Sequence, residues 1–157
     1  MNKISVSVFL ALLGLLLMQL GASLFSITIA VSTLVESPPE SLAMTQGEFP
    51  YDSSAFWDVY PNILGSVFLI ALILNWRTKF KKWVLISFGL YIVMALFAIF
   101  IFEPAQANVL NNNGAASQDL KHDAAMWYMY DWILFSIASA AAIALLIPVF
   151  KQLNESR

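Results

Sequence analysis

Four long apolar segments limit what this 157-residue chain can fold into more than any other feature of the sequence. A helix needs about 20 mostly apolar residues to cross the hydrocarbon core of a bilayer. The segments that meet this length lie at about 4–35, 56–76, 83–102 and 126–150. Inside a bilayer every backbone polar group must bond within the protein, so each segment is predicted to be a helix. The sequence therefore predicts a single all-α domain with four transmembrane helices and outer loops at 36–55 and 103–125.

The composition agrees with a membrane protein and argues against other classes. Hydrophobic residues make up 60% of the chain and charged residues only 11%, whereas soluble domains carry about 25% charged residues. With 8 Lys and Arg residues and a formal net charge of -2, the chain lacks the basic character of a nucleic-acid-binding protein. We therefore expect no nucleic-acid partner. The absence of cysteine excludes disulfides, Fe–S clusters and Cys-ligated zinc.

The first apolar segment allows a second interpretation, a cleaved signal peptide. Lys3 would form its basic start, and residues 20–22 would form the cleavage site. The apolar run continues to Val35, however, far beyond the roughly 7–15 residues of a signal-peptide core. We therefore expect an uncleaved helix of about 48 Å, at 1.5 Å per residue, whose outer end stands above the bilayer. The fourth helix is expected to protrude in the same way if it begins near Asp119.

The distribution of charge predicts the orientation. Every Lys and Arg except Lys121 lies at the N-terminus, in 77–82 or in 151–157, and every acidic residue except Glu155 lies toward the opposite side. The positive-inside rule therefore places both termini and the 77–82 loop in the cytoplasm. This arrangement predicts an antiparallel four-helix bundle. The short N-terminus, small size and style of the loops favour the bacterial inner (plasma) membrane.

Polar side chains within the apolar segments are the candidates for a functional site, because lipid disfavours them unless they are paired. Several share a helix face at spacings of three and four residues. The residues on these faces are Gln19, Ser23, Ser26, Ala30 and Thr33 in the first segment, and Asp58, Asn62 and Ser66 in the second. Since most lie toward the outer ends, we expect a polar pocket open to the non-cytoplasmic side. The alternative is that these side chains bond their own helix or only join helices.

Small residues predict where helices approach closely. Gly14 and Gly21 in the first segment, and Ser136, Ala140 and Ala144 in the fourth, repeat at spacings that suit close helix contact. The third segment is nearly all apolar, so we expect it to be the most exposed to lipid.

The candidate catalytic residues are His122, Asp131 and Glu103, and the candidate substrate-binding residues are Asp58, Asn62, Asn108 and Trp127. His122 is the one histidine and adjoins a carboxylate, so it is either a general base or a solvated residue at a helix start. Asp131 lies one turn after Trp127 in an aromatic run, which favours either an interhelical bond or a contact with substrate or a proton. One His without Cys is too few for a transition-metal site, so no metal or other cofactor is predicted.

Several short motifs resemble those of the anthrone-oxygenase-like family of small four-helix membrane proteins. They are Gly21 with Phe25, Phe56 with Pro61, Pro104 with Asn108, and Trp127 with Asp131. The resemblance covers the whole chain by layout. It implies oxidation of a hydrophobic phenolic or quinone-like substrate without a bound metal. The family usually carries Asn in the position of Asp131, with an Arg shortly after it, and this chain has no Arg there.

Three functions are compatible with these observations. The favoured one is an accessory or assembly subunit of a larger membrane complex, or a lipid-contacting protein, because no nucleophile motif, phosphate loop or dinucleotide-binding pattern is present. Its partners would be membrane lipids, other membrane proteins or further copies of the chain. The second is a small membrane enzyme, anthrone-oxygenase-like, whose outer pocket takes a hydrophobic substrate. The third is a transporter or channel, for which four helices are few and no inverted repeat is found.

Overall fold

The structure is a computed structural model that describes residues 3–45, 54–111 and 118–155. Nearly all of these residues are helical, and none of them lies in a strand. The long helices are α1 (Lys3–Glu36), α2 (Ser54–Asn75), α3 (Lys81–Leu110) and α4 (Gln118–Glu155). A short 3-10 helix, Glu40–Thr45, follows α1. All four long helices are apolar and long enough to cross a membrane, which confirms the predicted all-α class and the four apolar helical segments.

The main difference from the predicted boundaries lies after the third segment. We expected Glu103 and Pro104 to end that helix, but α3 continues to Leu110 and α4 begins at Gln118. The prediction of an outer loop over 103–125 is therefore wrong for most of its length. Proline crowds the turn that precedes it in an α-helix. Here that turn, Ala98–Phe102, is a wider π-helical one, so the chain passes Pro104 without leaving the helix.

The basic side chains mark one end of the bundle. The Ser5 hydroxyl donates to the backbone oxygen of Leu74 at 3.1 Å, and the Lys151 ammonium lies 5.9 Å from the centre of the Trp83 ring. The start of α1, the α2–α3 connection and the last turns of α4 are thereby gathered together. We call this the basic end, and the opposite end, where α3 ends and α4 begins, the acidic end.

The buried apolar residues form two clusters, one toward each end. The basic-end cluster includes Phe9, Leu12, Leu16, Leu64, Phe68, Val84, Tyr91, Ala138, Ala141 and Leu145. The acidic-end cluster consists of Val31, Leu34, Leu42, Val109, Leu120, Ala124 and Trp127. The acidic-end cluster packs the far ends of α1, α3 and α4 with the 3-10 helix, and this packing allows those helices to be longer than α2.

One seam of α4 runs through both clusters. Its residues alternate in steps of four and three, the spacing typical of helix bundles. The seam consists of Leu120, Ala124, Trp127, Asp131, Leu134, Ala138, Ala141, Leu145 and Pro148. All of these side chains are buried except Leu134, which is partly buried. Asp131 therefore occupies a core position of the bundle, between the acidic-end and basic-end clusters.

The small residues that make close contacts differ from those predicted in α4. Ala138, Ala141 and Ala142 are buried in the basic-end cluster, whereas Ser136 and Ala140 are exposed. The predicted close helix contact is wrong for these two residues. The inward seam of α4 alternates steps of four and three residues, whereas the predicted stripe of small residues used steps of four alone.

The glycines of α1 and the exposure of α3 also depart from expectation. Gly14 and Gly21 are exposed, and a Cβ added at either would meet nothing within 4 Å. Their predicted close helix contact is absent among the described residues of this chain. The most apolar windows of α2 and α3 are each 22% buried, so α3 is not more exposed than α2.

Candidate functional site

Several polar side chains in and beside the basic-end cluster bond to backbone oxygens of neighbouring helices, whereas the buried Ser87 hydroxyl of α3 has no partner among the described residues. The Tyr91 hydroxyl of α3 donates to the backbone oxygen of Pro61 in α2 at 2.7 Å. The Tyr60 hydroxyl of α2 donates to the backbone oxygen of Leu15 in α1. The buried Asn75 amide of α2 donates to the backbone oxygen of Ser5 in α1 at 3.4 Å and to that of Ala71 in its own helix at 2.9 Å. These groups join α1, α2 and α3, and their hydrogen-bonding capacity is used within the fold.

Asp131 and Trp127 differ from this pattern. Asp131 is 7% exposed and Trp127 is 1% exposed, one turn apart on the inward seam of α4. Asp131 Oδ2 and Trp127 Nε1 have no hydrogen-bond partner among the described residues. The sequence singled out both side chains. Their burial in the bundle core follows from their place in the seam of α4.

Gln19 of α1 is a third buried polar residue with an unpaired atom. It is 6% exposed, and its amide donates a long hydrogen bond to Met94 Sδ at 3.5 Å, while its Oε1 has no partner in the described parts of the chain. Met94 belongs to the basic-end cluster, whereas Trp127 belongs to the acidic-end cluster. We call Gln19, Trp127 and Asp131 together the junction cluster.

Sequence reasoning placed Gln19 on a polar helix face but did not include it in the site. The signal that could have found it is the buried series at steps of four and three, Phe9, Leu12, Leu16 and Gln19. A polar residue that continues such an apolar series faces the core.

Two π-helical turns lie at the junction between the clusters. They span Ser26–Val31 in α1 and Ala98–Phe102 in α3, and both contact α4. A π turn inserts one residue and rotates the rest of the helix, and such turns are frequent at functional sites. In α1 this rotation leaves Thr33 exposed, outside the predicted polar face.

Hydroxyl groups in the outer part of α1 bond to their own helix, which is the alternative that the sequence left open. The Thr28 hydroxyl donates to the backbone oxygen of Leu24 at 2.6 Å, and the Thr33 hydroxyl donates to that of Ile29 at 2.6 Å. The Ser32 hydroxyl donates to the backbone oxygen of Thr28 at 2.7 Å. These side chains bond their own helix and are not oriented toward a pocket.

A cleft of about 400 Å³ lies between α3 and α4 at the acidic end. Its lining residues are Phe100, Ile101, Pro104, Ala105 and Asn108 of α3, and His122, Asp123, Met126 and Tyr130 of α4. Two of the predicted site residues, Asn108 and His122, are thus brought together, and Asp123 joins them. The polar residues lie at the outer end of the cleft, and the apolar and aromatic residues lie at the end nearer Asp131.

The remaining predicted residues lie elsewhere. Asp58 and Asn62 are exposed on α2, and neither lines the cleft. The Asn62 amide donates to the backbone oxygen of Asp58 at 2.8 Å, and the Ser66 hydroxyl donates to that of Asn62 at 2.8 Å. Glu103 is exposed and is also outside the cleft lining. Among the described residues no group of three or more His, Cys, Asp or Glu side chains is arranged to hold a metal ion.

No protein-family model, curated protein or solved structure matches this chain. Its function is therefore inferred from the cleft and from the junction cluster.

Proposed function

We propose that this chain is an integral membrane protein that binds an amphiphilic, lipid-like molecule in the cleft between α3 and α4. The observation that carries this proposal is the gradient of polarity along the cleft. Phe100 and Ile101 line one end, and Asn108, His122 and Asp123 line the other. A molecule with an apolar tail and a hydrogen-bonding head group has the same gradient.

The position of the cleft relative to the bilayer supports the same proposal. From residue 131 to Lys151 the rise of α4 is about 30 Å, which equals the thickness of the hydrocarbon core. With Lys151 at one boundary, the aromatic end of the cleft beside Tyr130 lies at the other boundary. His122, about 12 Å farther along the helix, then lies among the lipid head groups. A bound amphiphile would keep its tail in the membrane and its head group against Asn108, His122 and Asp123.

The chemistry of the polar end selects the head group. The Asn108 amide both donates and accepts hydrogen bonds, and an imidazole does so in its neutral form. The Asp123 carboxylate accepts only. Because acceptors are in excess, a head group that carries hydroxyl or amino donors fits best. The proposal makes the lipid-contacting function expected from the sequence more specific, since it assigns the lipid to the cleft.

Asn108→Ala combined with His122→Ala tests this function. We expect the doubly substituted protein to lose the amphiphile that co-purifies in mild detergent, measured by native mass spectrometry and lipid extraction. Asn62→Ala is the matched control, because its amide bonds its own helix on an exposed face of α2. Equal retention of amphiphile by wild type, the cleft variant and the control would contradict the proposal.

We also propose the antiparallel arrangement, with both termini in the cytoplasm of a bacterium and the helices in its inner membrane. The gathering of basic side chains at one end supports this orientation. Contacts of Ser5 with Leu74 and of Leu15 with Tyr60 support opposite directions for α1 and α2. A phosphatase fused after Arg157 should be inactive, since the enzyme needs export to fold. An active fusion would overturn the orientation.

A small membrane enzyme is the second candidate, favoured by the buried and unpaired Oδ2 of Asp131 behind the cleft wall. This is the activity that the resemblance to the anthrone-oxygenase-like family implies. If it is correct, Asp131→Ala should abolish turnover of a phenolic substrate while the protein accumulates normally in the membrane, and Asp131→Asn, the residue usual in that family, should retain turnover. Reduced accumulation would instead assign Asp131 a structural role. The accessory-subunit interpretation stays a prediction, and stoichiometric protein partners in the same purification would support it.

A further inference from the structure

Ammonium groups from two helices meet at one tryptophan ring at the basic end. The Lys82 ammonium, in the first turn of α3, lies 5.6 Å from the centre of the Trp83 ring. The Lys151 ammonium, in the last turns of α4, lies 5.9 Å from the same centre. Cations are attracted to an indole ring at such distances. Trp83 therefore gathers two positive charges from different helices at one place.

This positive charge has few acidic counterparts in the protein. Five Lys and Arg residues lie in 77–82 and at 151, whereas no Asp or Glu occurs in 59–102 or 132–151. Glu155, four residues after Lys151, is the nearest acid in the sequence, and one carboxylate can balance only one of these charges. Because like charges repel one another, an external anion would stabilise their gathering at Trp83. A phosphate group fits two ammonium groups, since its oxygens accept several charge-assisted hydrogen bonds.

The residues around Trp83 are typical of the membrane boundary. Trp76, in the connection between α2 and α3, is 51% exposed, and the Lys81 ammonium lies 3.7 Å from the centre of its ring. Tryptophan rings and the long side chains of lysine are favoured where hydrocarbon meets the lipid head groups. A helix that crosses the bilayer from Lys81 onward places its first turn at this boundary. The phosphate groups of lipids lie at the same level.

Apolar side chains adjoin the two ammonium groups along the same helix faces. In α3, Leu85 and Ile86 follow Lys82 by three and four residues, and both are exposed. In α4, the exposed Ile143 precedes Lys151 by eight residues. Residues at these spacings share one face of a helix. A phosphate ion would leave these faces uncovered, whereas a phospholipid would lay its acyl chains along them and its phosphate against Lys82 and Lys151.

We propose that Lys82, Trp83 and Lys151 form a binding site for the phosphate head group of an anionic phospholipid. The two ammonium groups donate to its phosphate oxygens, and the Trp83 ring holds them in place. This site differs from the cleft in position and in chemistry. The cleft lies at the acidic end, where acceptors are in excess, whereas Lys82 and Lys151 offer donors. The inference therefore does not rest on the amphiphile proposed for the cleft.

Titration of the full chain in detergent micelles with two lipids, read by native mass spectrometry, tests this site. The first probe is dioleoyl-phosphatidylmethanol, whose phosphate is anionic and whose head group has no hydroxyl or amino donor for the cleft. The second is dioleoyl-phosphatidylcholine, which has the same acyl chains and no net charge. We expect the wild-type chain to bind the anionic lipid about fivefold more tightly. This comparison does not depend on how any variant folds.

Lys151→Gln and Lys121→Gln form a matched pair of variants. Both lysines are exposed on α4 and both substitutions remove one positive charge, but Lys121 lies at the acidic end. Lys151→Gln should weaken binding of phosphatidylmethanol about fivefold, the contribution of one Lys at an anionic surface, and Lys82→Gln should do the same. Lys121→Gln should bind this lipid as the wild type does.

The outcomes separate this inference from the proposed function. Asn108→Ala combined with His122→Ala should leave the preference for the anionic lipid unchanged, even where it abolishes retention of the cleft amphiphile. Equal binding of the two lipids by the wild-type chain would overturn the inference, as would equal losses in Lys151→Gln and Lys121→Gln. Displacement of phosphatidylmethanol by inorganic phosphate at equal concentration would assign the site to the ion and overturn the proposal of a lipid.

Discussion

The two ends of this bundle use buried polar groups differently. In and beside the basic-end cluster, the hydroxyl groups of Tyr60, Tyr91 and Ser5 bond to backbone oxygens of neighbouring helices. At the junction with the acidic-end cluster, Asp131 and Trp127 carry buried polar atoms that have no partner in the described chain, as does the buried Ser87 hydroxyl of α3. The hydroxyl groups of the two tyrosines and Ser5 therefore help to fix the positions of the helices, whereas the unpaired atoms of Asp131 and Trp127 contribute no such link.

The largest expected effect comes from the apolar core of the basic-end cluster. Phe68 is 0% exposed, so Phe68→Ala should lower the free energy of unfolding by about 3–5 kcal/mol. Ile73→Ala is the control, because Ile73 in the same helix is 74% exposed. Thermal unfolding in detergent measures both. Similar melting temperatures for the two variants would mean that this cluster does not hold the bundle together.

A smaller effect is expected from the hydrogen bond that joins Tyr91 of α3 to α2. Tyr91→Phe removes the hydrogen bond to the Pro61 oxygen and should cost about 0.5–1.5 kcal/mol. A Cβ at Gly65 would lie 3.1 Å from the Tyr91 hydroxyl, whereas one at Gly89 would meet nothing within 4 Å. Gly65→Ala should therefore be less stabilising than Gly89→Ala.

The same pair of glycine substitutions in a Tyr91→Phe background completes this test. If the hydroxyl group is the obstacle, the difference between Gly65→Ala and Gly89→Ala should shrink once the hydroxyl is absent. A difference that persists unchanged would locate the conflict elsewhere, and the bond from Tyr91 to α2 would lose its role in positioning α3.

The smallest expected effect, and one of opposite sign, is at the junction. Asp131→Leu replaces a buried carboxyl by an apolar side chain, so the free energy of unfolding should stay the same or rise by about 1 kcal/mol. Thermal unfolding in detergent, with Tyr91→Phe alongside, measures this change. If Asp131→Leu destabilises the bundle more than Tyr91→Phe does, the two ends use their polar groups in the same way.

The elements were predictable from the sequence to a useful degree, and the site was predictable only in part. The spans, the length of α1 and the grouping of basic residues follow from hydropathy and charge, which are local properties. Asn108 and His122, which both lie just beyond the apolar segments, line the same cleft, and their roles in binding or catalysis stay predictions. The pocket expected to include Asp58 and Asn62 was not found around them, because the polar face of α2 is exposed.

The sequence by itself determined that this protein is a set of four long apolar helices with basic residues at one end. Length and hydropathy decide this before any helix contacts another. Only the tertiary structure decided which faces turn inward, that α3 continues past Pro104, and that Gln19, Asp131 and Trp127 are buried. Helices that are apolar on every side carry little information about their own orientation. The inward face is therefore chosen by the packing of all four helices together, and the junction cluster is a product of that packing.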